Sequence, residues 1–403
     1  MHMNAAGASP TPAPAHDAVV SHLELERRIG GYAAVTEREK AGGRDPRAAV
    51  ADLLNCSSHE VALVESAQMA WARAFSSLDF LPGDRIICWS SEYAGNAVAY
   101  LQAAKLRGVQ LTVLPLRSDE IVDVEELDST LRAHAHDGHR CAVCLTHVQA
   151  DSSVVQPAAE VGAVAAAHGA VYLLDACQSI GQLPVDLKAI GCDFACGTGR
   201  KWLRGPRGTG FLYACSSGGV ESGGLIGEPK LIDHTSVRWL STDHYSVAED
   251  AKRFEFWESG EASRAGLAAA VDYCNAVGTQ RIADLAGRHA ARLREGLGSI
   301  GGVVMRDAPP SWDAQAARAI GASRGAIVGF ETETTLGITS QAFLAELAAR
   351  RIAVSLSPSF HTFDDGAWTR PPSVRVSPSY FNTDDEVERV LQAVREIIAT
   401  QAP

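Results

Sequence analysis

The chain has 403 residues, of which 46% are hydrophobic and 21% charged, a balance typical of a globular protein large enough for more than one domain. Its formal net charge of -12 argues against nucleic acid or an anionic membrane as the main partner. No apolar run approaches the roughly 20 residues of a membrane span, and the N-terminus lacks the pattern of a secretory signal. We therefore expect a cytoplasmic protein with no nucleic-acid or membrane partner.

The N-terminal part of the chain divides into a polar tail and a helical segment. Residues 1–16 are rich in Ala, Pro, Ser and Thr, and this composition predicts a disordered tail. Its opening Met1-His2-Met3 is typical of a cloning remnant and is excluded from the fold prediction. Residues 17–40 have the pattern of a helix interrupted at Gly30-Gly31.

From about residue 45 to 215, apolar runs alternate with helical stretches, a pattern that predicts βα units and a mostly parallel sheet. The helix predicted over 157–168 is followed by Gly169, which is placed to end it. The predicted strands are Val61–Glu65, Arg85–Trp89, Leu111–Leu114, Ala142–His147, Val171–Leu174 and Phe211–Tyr213.

The last third of the sequence predicts a smaller α+β unit. Strand-like runs at 325–330 and 352–356 flank a helical stretch at 341–350, and a long helix is predicted near 260–297. The C-terminal helix opens with a capping box at Thr383–Glu386. We expect a large domain at 45–270 and a small domain at 271–403, and we expect the N-terminal helical segment 17–44 to belong with the small domain.

The nine cysteines, in a chain without a signal sequence, are expected to be reduced thiols. Cys141-x-x-Cys144 has the spacing of half a zinc site, but it lies in an apolar run and no second pair has metal spacing. We interpret both cysteines as core residues and expect no metal.

Two polar residues at the ends of apolar runs carry the strongest chemical signal. Lys201 follows a strand-like segment into a glycine-rich turn, alone among the six lysines, and Asp175 ends another apolar run. A lysine that forms a Schiff base with an aldehyde, and an aspartate that keeps a pyridinium nitrogen protonated, are what a pyridoxal 5′-phosphate (PLP) enzyme needs. The pair predicts PLP as the cofactor and Lys201 and Asp175 as catalytic residues.

Further motifs surround this pair in a fixed order, and together they resemble fold-type I PLP enzymes of the class V aminotransferase and cysteine desulfurase superfamily. The resemblance covers residues 45–399. It implies an α/β fold in which helices sandwich a mostly parallel, seven-stranded-type sheet, with a smaller C-terminal domain. The motifs are Ser66–Gln68, Ser91–Asn96, Asp175–Gln178, Thr198–Lys201, Gly205–Gly210, Arg253–Ser259 and Val374–Thr383.

The resemblance implies a cofactor site at these motifs. The Ser66-Ala67-Gln68 turn would cradle the phosphate, as the free amides of a helix N-terminus suit an anion, although a serine there is also an ordinary N-cap. Tyr93 would stack on the ring, unless it is a core tyrosine. The remaining implied contacts are Gln178 to the ring 3′-oxygen, Thr198 and Arg200 to phosphate, with Arg200 in place of the usual histidine, and Ser259 to the phosphate of a partner subunit.

The resemblance also implies a substrate site and a homodimer. Arg375, in Arg-x-Ser-x-x-Tyr-x-Asn-Thr, matches the arginine that binds the substrate carboxylate through two parallel hydrogen bonds. Asn96 supports the ring or the substrate. Asp151 or Gln149 is a candidate for substrate contact, though a strand-end turn explains Asp151 as well. Two further candidates for contact with the rest of the substrate are Tyr32, in the N-terminal segment, and Ser357, on the loop Ser355–Asp365.

One departure from the desulfurase pattern limits the chemistry. A desulfurase needs a nucleophilic cysteine upstream of the carboxylate arginine, whereas no cysteine follows Cys274. The Phe256-Trp257-Glu258-Ser259 segment and the serine-rich loop resemble the branch of hercynylcysteine sulfoxide lyase, its counterparts in lincosamide antibiotic pathways, and isopenicillin N epimerase-like proteins.

The leading hypothesis is a PLP-dependent C–S lyase that acts on an S-substituted cysteine, such as a thiol-sugar, ergothioneine-type or sulfoxide conjugate. Decarboxylation coupled to oxidative deamination uses the same recognisable residues and stays open. Racemisation and transamination also stay open. A non-catalytic scaffold is a further alternative, although an intact Lys201 argues against it. The S-substituent cannot be inferred from the residues.

Overall fold

The computed structural model of the chain describes residues 1–135, 137–216, 224–307, 313–319, 321–358, 362–363 and 371–401. The strands in these ranges are β1 (Val61–Val64), β2 (Arg85–Trp89), β3 (Gln110–Leu114), β4 (Cys141–Thr146), β5 (Val154–Val155), β6 (Val171–Asp175), β7 (Phe194–Thr198), β8 (Gly210–Ala214), β9 (Val237–Trp239), β10 (Tyr245–Val247), β11 (Val304–Met305), β12 (Ser323–Arg324), β13 (Val328–Glu331), β14 (Ser355–Ser357) and β15 (Ser373–Val376). The helices are α1 (Ala13–Ile29), α2 (Gly31–Lys40), α3 (Pro46–Leu54), α4 (Ala67–Ser76), α5 (Ala94–Arg107), α6 (Val124–His134), α7 (Ala158–Ala167), α8 (Leu187–Ile190), α9 (Glu261–Val277), α10 (Thr279–Gly298), α11 (Ala314–Ala319), α12 (Glu333–Leu336), α13 (Ser340–Ala349) and α14 (Asp384–Gln401).

A mostly parallel sheet forms the centre of the larger part of the molecule. Within the described ranges it has seven strands in the order β1-β8-β7-β6-β4-β2-β3. Strands β3, β2, β4, β6 and β7 run parallel, and β8 is antiparallel to both of its neighbours. Strands β6, β7 and β8 are buried along their whole length, as expected when helices cover both faces of a sheet. The predicted α/β fold is confirmed.

A smaller antiparallel sheet, with the order β11-β13-β15-β14, lies in the C-terminal part of the chain. Helices α10, α13 and α14 pack around it and enclose a second hydrophobic core. The predicted capping box begins α14: Thr383 Oγ1 accepts a hydrogen bond from the Glu386 amide at 3.2 Å, and the Thr383 amide donates to Glu386 Oε2 at 3.1 Å. How the chain divides into domains stays a prediction.

The long helix predicted near 260–297 is two helices. Gly278, between α9 and α10, has a φ of +90°, a backbone conformation that residues other than glycine rarely adopt. The helical pattern on either side of Gly278 is continuous, so periodicity alone did not locate the break. Helix α1 packs along α9, and α1 and α2 meet at Gly30, where the sequence predicts an interruption.

The prediction that residues 1–16 are disordered was wrong. The Met3 amide donates to the Ala353 carbonyl at 2.9 Å, and the Ala5 amide donates to the Ser377 carbonyl at 3.0 Å, so this segment pairs beside β14 and β15. Met3 and Ala5 are fully buried in the C-terminal core. Small residues, which suggest disorder by composition, here allow the backbone to approach the sheet closely.

Among the described residues, no helix combines the length and the apolar character that crossing a membrane requires.

Met3 should contribute to folding as a core residue. Replacing it with alanine removes a fully buried side chain, and we expect the free energy of unfolding to fall by about 2–5 kcal/mol. Val20→Ala is the control, because Val20 is half exposed on α1, and its change should stay within about 0.5 kcal/mol. Equal denaturant midpoints for the two variants would contradict the docking of the N-terminal segment.

Candidate active site

The carboxyl ends of neighbouring parallel strands bring the predicted residues together. Asp175 is the last residue of β6 and is paired in register with Thr146 on β4 and Cys196 on β7. Lys201 follows β7 by three residues. In an open α/β sheet, ligands bind at this edge.

A cavity of about 120 Å³ opens at this edge. Its lining includes ten residues that the sequence predicts for the cofactor or the substrate: Ser66, Ala67, Gln68, Tyr93, Asn96, Asp175, Gln178, Thr198, Arg200 and Lys201. Thr146, Val148, Ala150 and Cys177 also line it and were not predicted as site residues. These four residues lie at or just after the carboxyl end of β4 or β6, and the same kind of position identified Asp175 in the sequence.

One end of the cavity has the features of an anion site. Ser66 caps α4, and its Oγ accepts a hydrogen bond from the Met69 amide at 3.1 Å. The first amides of α4 belong to Ala67 and Gln68, which line the cavity. A Cβ on Gly210 would lie 2.5 Å from the Ser66 carbonyl carbon, so only glycine lets β8 approach this turn. Backbone amides at a helix N-terminus, with Arg200 across the cavity, suit a phosphate.

The other end of the cavity holds a buried carboxylate. Asp175 is 5% exposed, and its oxygens accept hydrogen bonds from Asn96 Nδ2 at 2.8 Å and from the Cys177 amide at 3.0 Å. Both donors are neutral, and in the described part of the chain no lysine, arginine or histidine forms an ion pair with Asp175. A buried carboxylate is stabilised by a cation, and the cavity leaves space for one beside it.

A second buried carboxyl, Glu92, lies behind this end of the cavity. Its oxygens accept hydrogen bonds from the Thr146 amide and from the Tyr100 hydroxyl, both at 2.9 Å. Burial raises the pKa of Glu92 to about 8, and the negative charge of Asp175 adds to this effect. Glu92 is therefore mostly protonated at neutral pH. The local sequence does not indicate this raised pKa, because only the fold buries Glu92 and brings it close to Asp175.

Two predicted cofactor residues also contact the N-terminal segment. Gln178 Nε2 donates to the Ala6 carbonyl at 3.2 Å, while its Oε1 accepts from Trp202 Nε1 at 2.8 Å. The Arg200 guanidinium donates to the Gly7 carbonyl. Residues predicted to be disordered thus form part of the surroundings of the cavity.

Arg375 lies on β15 beside the cavity. Its Nε donates to Ser355 Oγ at 3.1 Å, and its Nη1 donates to the carbonyl of Ala150, a lining residue, at 3.1 Å. Burial lowers the pKa of Arg375, whereas the negative charge of Asp151 opposes this effect. Asp151 belongs to the turn after β4, where it accepts a hydrogen bond from the Ser152 amide at 2.8 Å.

The structure does not bring Tyr32, Ser259 or Ser357 to this cavity. Tyr32 and Ser259 line a separate cavity of about 670 Å³, in which the Tyr32 and Trp257 rings are 6.2 Å apart. Ser357 is buried in β14, where its carbonyl accepts from Ser373 Oγ at 3.5 Å. Residues 359–361 and 364–365 of the predicted substrate loop lie outside the described residues.

With this geometry in place, comparison with known proteins identifies the family. Residues 3–390 match the model of the aminotransferase class-V family. The chain belongs to this family. A probable cysteine desulfurase from Methanothermobacter thermautotrophicus is 28% identical over 98% of this chain and 94% of its own length. A cysteine desulfurase from Serratia proteamaculans is 32% identical over 53% of this chain and 50% of its own.

Solved structures have the same fold. A cysteine desulfurase from Thermococcus onnurineus NA1 superimposes with a TM-score of 0.83 at 22% identity, over 99% of this chain and 95% of its own. The cystine C–S lyase C-DES, in complex with its reaction product cysteine persulfide, gives a TM-score of 0.80 at 22% identity, over 98% and 97%. The family is one of PLP enzymes, and PLP is the cofactor of this chain.

The residues present fit this cofactor. The amides that begin α4 and the guanidinium of Arg200 match a phosphate, and the buried Asp175 carboxylate matches a cationic ring nitrogen. Lys201 would provide the amine that holds the aldehyde carbon, and the half-exposed Tyr93 ring borders the cavity where a planar ring would lie. The pyridinium is therefore the group that would compensate the charge of Asp175.

Glu92 should make the stability of the apoprotein depend on pH. Its folded-state pKa, about 8, lies above the ordinary value of 4.5, so its contribution is fully present below pH 4.5 and is lost as pH rises through 8. Glu92→Gln mimics the protonated carboxyl, so between pH 5 and 8.5 its melting temperature should fall less than that of the wild type. Glu228→Gln, on an exposed residue, should leave the slope unchanged. Parallel curves for wild type and Glu92→Gln would contradict the raised pKa.

Proposed function

We propose that the chain is a PLP-dependent carbon–sulfur lyase that cleaves the Cβ–S bond of an S-substituted cysteine. The observation that carries this proposal is one cavity lined by Lys201 and Asp175, with Arg375 held beside it by Ala150. The products would be a thiol, or a sulfenate from a sulfoxide, and 2-aminoacrylate, which hydrolyses to pyruvate and ammonia. The matched relatives named as cysteine desulfurases, and C-DES named as a C–S lyase, support this reaction class.

Each residue has a defined task in this reaction. PLP, when bound, supplies an electron sink for the pair of electrons left at Cα. Lys201 Nζ removes the Cα proton and can return it to the departing sulfur. Asp175 keeps the ring nitrogen protonated, and Asn96 holds the Asp175 carboxylate in place. Arg375 binds the substrate carboxylate and so fixes which bond at Cα faces the base.

Desulfuration through a protein persulfide does not fit the distribution of cysteines. No cysteine follows Cys274, so the stretch of chain between Cys274 and Arg375 lacks the nucleophile that this reaction needs. Cys177 lines the cavity, but its amide bonds to Asp175 and its Sγ lies 3.9 Å from Cys196 Sγ. It therefore belongs to the Asp175 end of the cavity, and elimination without a protein thiol is the simpler reaction.

We also propose that the active form is a homodimer. Ser259 and Tyr32 share a cavity away from the one that contains Lys201, which is consistent with a role in the site of a second subunit. In this arrangement Ser259 would contribute to the partner's phosphate site, and Tyr32 would lie near the S-substituent. We propose that the reaction resembles that of the hercynylcysteine sulfoxide lyase branch and its lincosamide-pathway counterparts.

Lys201 should be required for both cofactor linkage and turnover. In Lys201→Ala, we expect the visible absorption band of PLP bound to its lysine to disappear and turnover to fall by at least about 10³-fold, because no other lysine among the described residues lines the cavity. Lys230→Ala is the control, since Lys230 pairs with Asp79 on the surface and should change neither. An unchanged band in Lys201→Ala would refute the assignment.

The products decide between the lyase and its alternatives. When the holoenzyme is incubated with cysteine S-conjugates, including thiol-sugar and sulfoxide conjugates, we expect pyruvate, ammonia and one sulfur product in equal amounts. Carbon dioxide and an aldehyde would instead identify decarboxylation coupled to oxidative deamination. An inverted α-carbon with intact sulfur would identify a racemase, and an oxo acid that retains sulfur would identify an aminotransferase.

A further inference from the structure

The first ten residues form a strap, residues 1–10, between the C-terminal sheet and the loop that carries Lys201. At one end the strap pairs with Ala353 and Ser377. At the other end the Ser9 amide donates to the Arg200 carbonyl at 2.9 Å, one residue before Lys201. The strap therefore touches both parts of the chain that contribute to the proposed substrate site.

A chain of hydrogen bonds runs from this strap to Arg375. Arg375 Nε donates to Ser355 Oγ at 3.1 Å, and Ser355 Oγ donates to Asn4 Oδ1 at 3.0 Å. Ser355 and Arg375 are directly opposite each other on β14 and β15. A serine hydroxyl has one proton, so by accepting it Asn4 turns the hydroxyl lone pairs toward Arg375.

The strap is shaped to hold the Asn4 amide. The amides of Gly7 and Ala8 both donate to the Asn4 carbonyl at 3.1 Å, which closes a tight turn. A Cβ on Gly7 would lie 2.6 Å from Asn4 Oδ1 and 2.8 Å from Asn4 Nδ2. Any larger residue at position 7 would have to displace the amide, so the space that Gly7 leaves fixes where Asn4 places its acceptor.

The contacts of Arg375 make its orientation sensitive to this chain. Nε is held by Ser355 and Nη1 by the Ala150 carbonyl, whereas Nη2 forms no hydrogen bond with any residue that the structure describes. The charge of Arg200 is close enough to help lower the pKa of Arg375, so repulsion between the two guanidinium groups also acts on it. Without the Ser355 contact, the guanidinium would keep the hydrogen bond to the Ala150 carbonyl and the attraction of Asp151, but it would lose the contact that fixes Nε.

We infer that Asn4 is a positioning residue for Arg375, acting through the Ser355 hydroxyl, and that it thereby sets the affinity for the substrate carboxylate. This inference rests on the proposed function only in the role of Arg375 as the carboxylate ligand. It extends that proposal by assigning a task to a residue that lies nearly 200 positions before Lys201 in the chain.

The first test is crystallographic and needs no substrate. In the PLP-loaded Asn4→Ala enzyme, we expect the contact between Ser355 Oγ and Arg375 Nε to be lost and the guanidinium to change orientation. Asn4→Asp keeps an acceptor for the serine proton, and should retain the wild-type arrangement. An unmoved Arg375 in Asn4→Ala would overturn the inference. PLP content and melting temperature show whether each variant is folded and loaded.

The second test measures affinity with two probes by titrating the visible spectrum of the holoenzyme. S-methyl-L-cysteine carries a carboxylate, and 2-(methylthio)ethylamine is the same amine without it. Loss of one neutral hydrogen bond should weaken S-methyl-L-cysteine about tenfold in Asn4→Ala and Ser355→Ala, with less than about a twofold change for the amine. Asn4→Asp should lie within about twofold of wild type.

The outcomes separate the inference from the proposed function. Equal weakening of both probes in Asn4→Ala, or an Asn4→Asp variant as weak as Asn4→Ala, would overturn the positioning role and indicate a general structural one. If Arg375→Ala binds S-methyl-L-cysteine as well as wild type, the carboxylate role of Arg375 in the proposed function fails. A displaced Arg375 in Asn4→Ala crystals would still support the positioning role in that case.

Discussion

The buried carboxylate of Asp175 is the constraint on which the site depends. A charge in a sheet interior is costly unless a cation compensates it, and the protein itself offers two neutral donors, the Asn96 amide and the Cys177 backbone N–H. In the proposed site, the cofactor would supply this cation. The negative charge of Asp175 also helps raise the pKa of the neighbouring Glu92 to about 8, so Glu92 is mostly protonated at neutral pH. A carboxylate at the position of Asp175 suits a pyridinium.

The loop that carries Lys201 is anchored in both cores of the molecule. Trp202 is buried in the C-terminal core, and its Nε1 donates to Gln178 Oε1, which borders the cavity. The adjacent Arg200 contacts the N-terminal strap through Gly7 and Ser9. The position of Lys201 therefore depends on how the C-terminal core and the N-terminal strap pack against the central sheet.

The family relationship and the proposed chemistry are compatible although the matched relatives are named as desulfurases. The roles proposed for Lys201, Asp175 and Arg375 would serve any reaction that begins with loss of the Cα proton. Whether sulfur then passes to a protein thiol or leaves as a small product depends on one cysteine, and no cysteine follows Cys274 in this chain. A single position thus separates two outcomes on one scaffold, which is why the fold alone does not define the reaction.

Local patterns in the sequence determined the α/β class, six of the seven strands of the central sheet and the cavity-lining residues near Asp175 and Lys201. The seventh, β7, was indicated only as a strand-like segment before Lys201. They could do so because parallel strands end at one edge, so polar residues at strand ends must converge. The break at Gly278 was not apparent, because the apolar period continues on both sides of it. The sequence also did not indicate that residues 1–16 are ordered, because the partners of this segment, Ala353 and Ser377, lie at the far end of the chain.

Only the tertiary structure decided the contacts between residues that are distant in sequence. It placed Glu92 behind Asp175, linked Asn4 to Arg375 through Ser355, and put Tyr32 and Ser259 in a different cavity from Lys201. The physical reason is that residue type and spacing report a residue's own secondary structure and its place at a strand end. Burial, charge coupling and hydrogen bonds depend on which surfaces pack together. In this protein they depend on how the N-terminal strap and the C-terminal sheet pack against the central sheet.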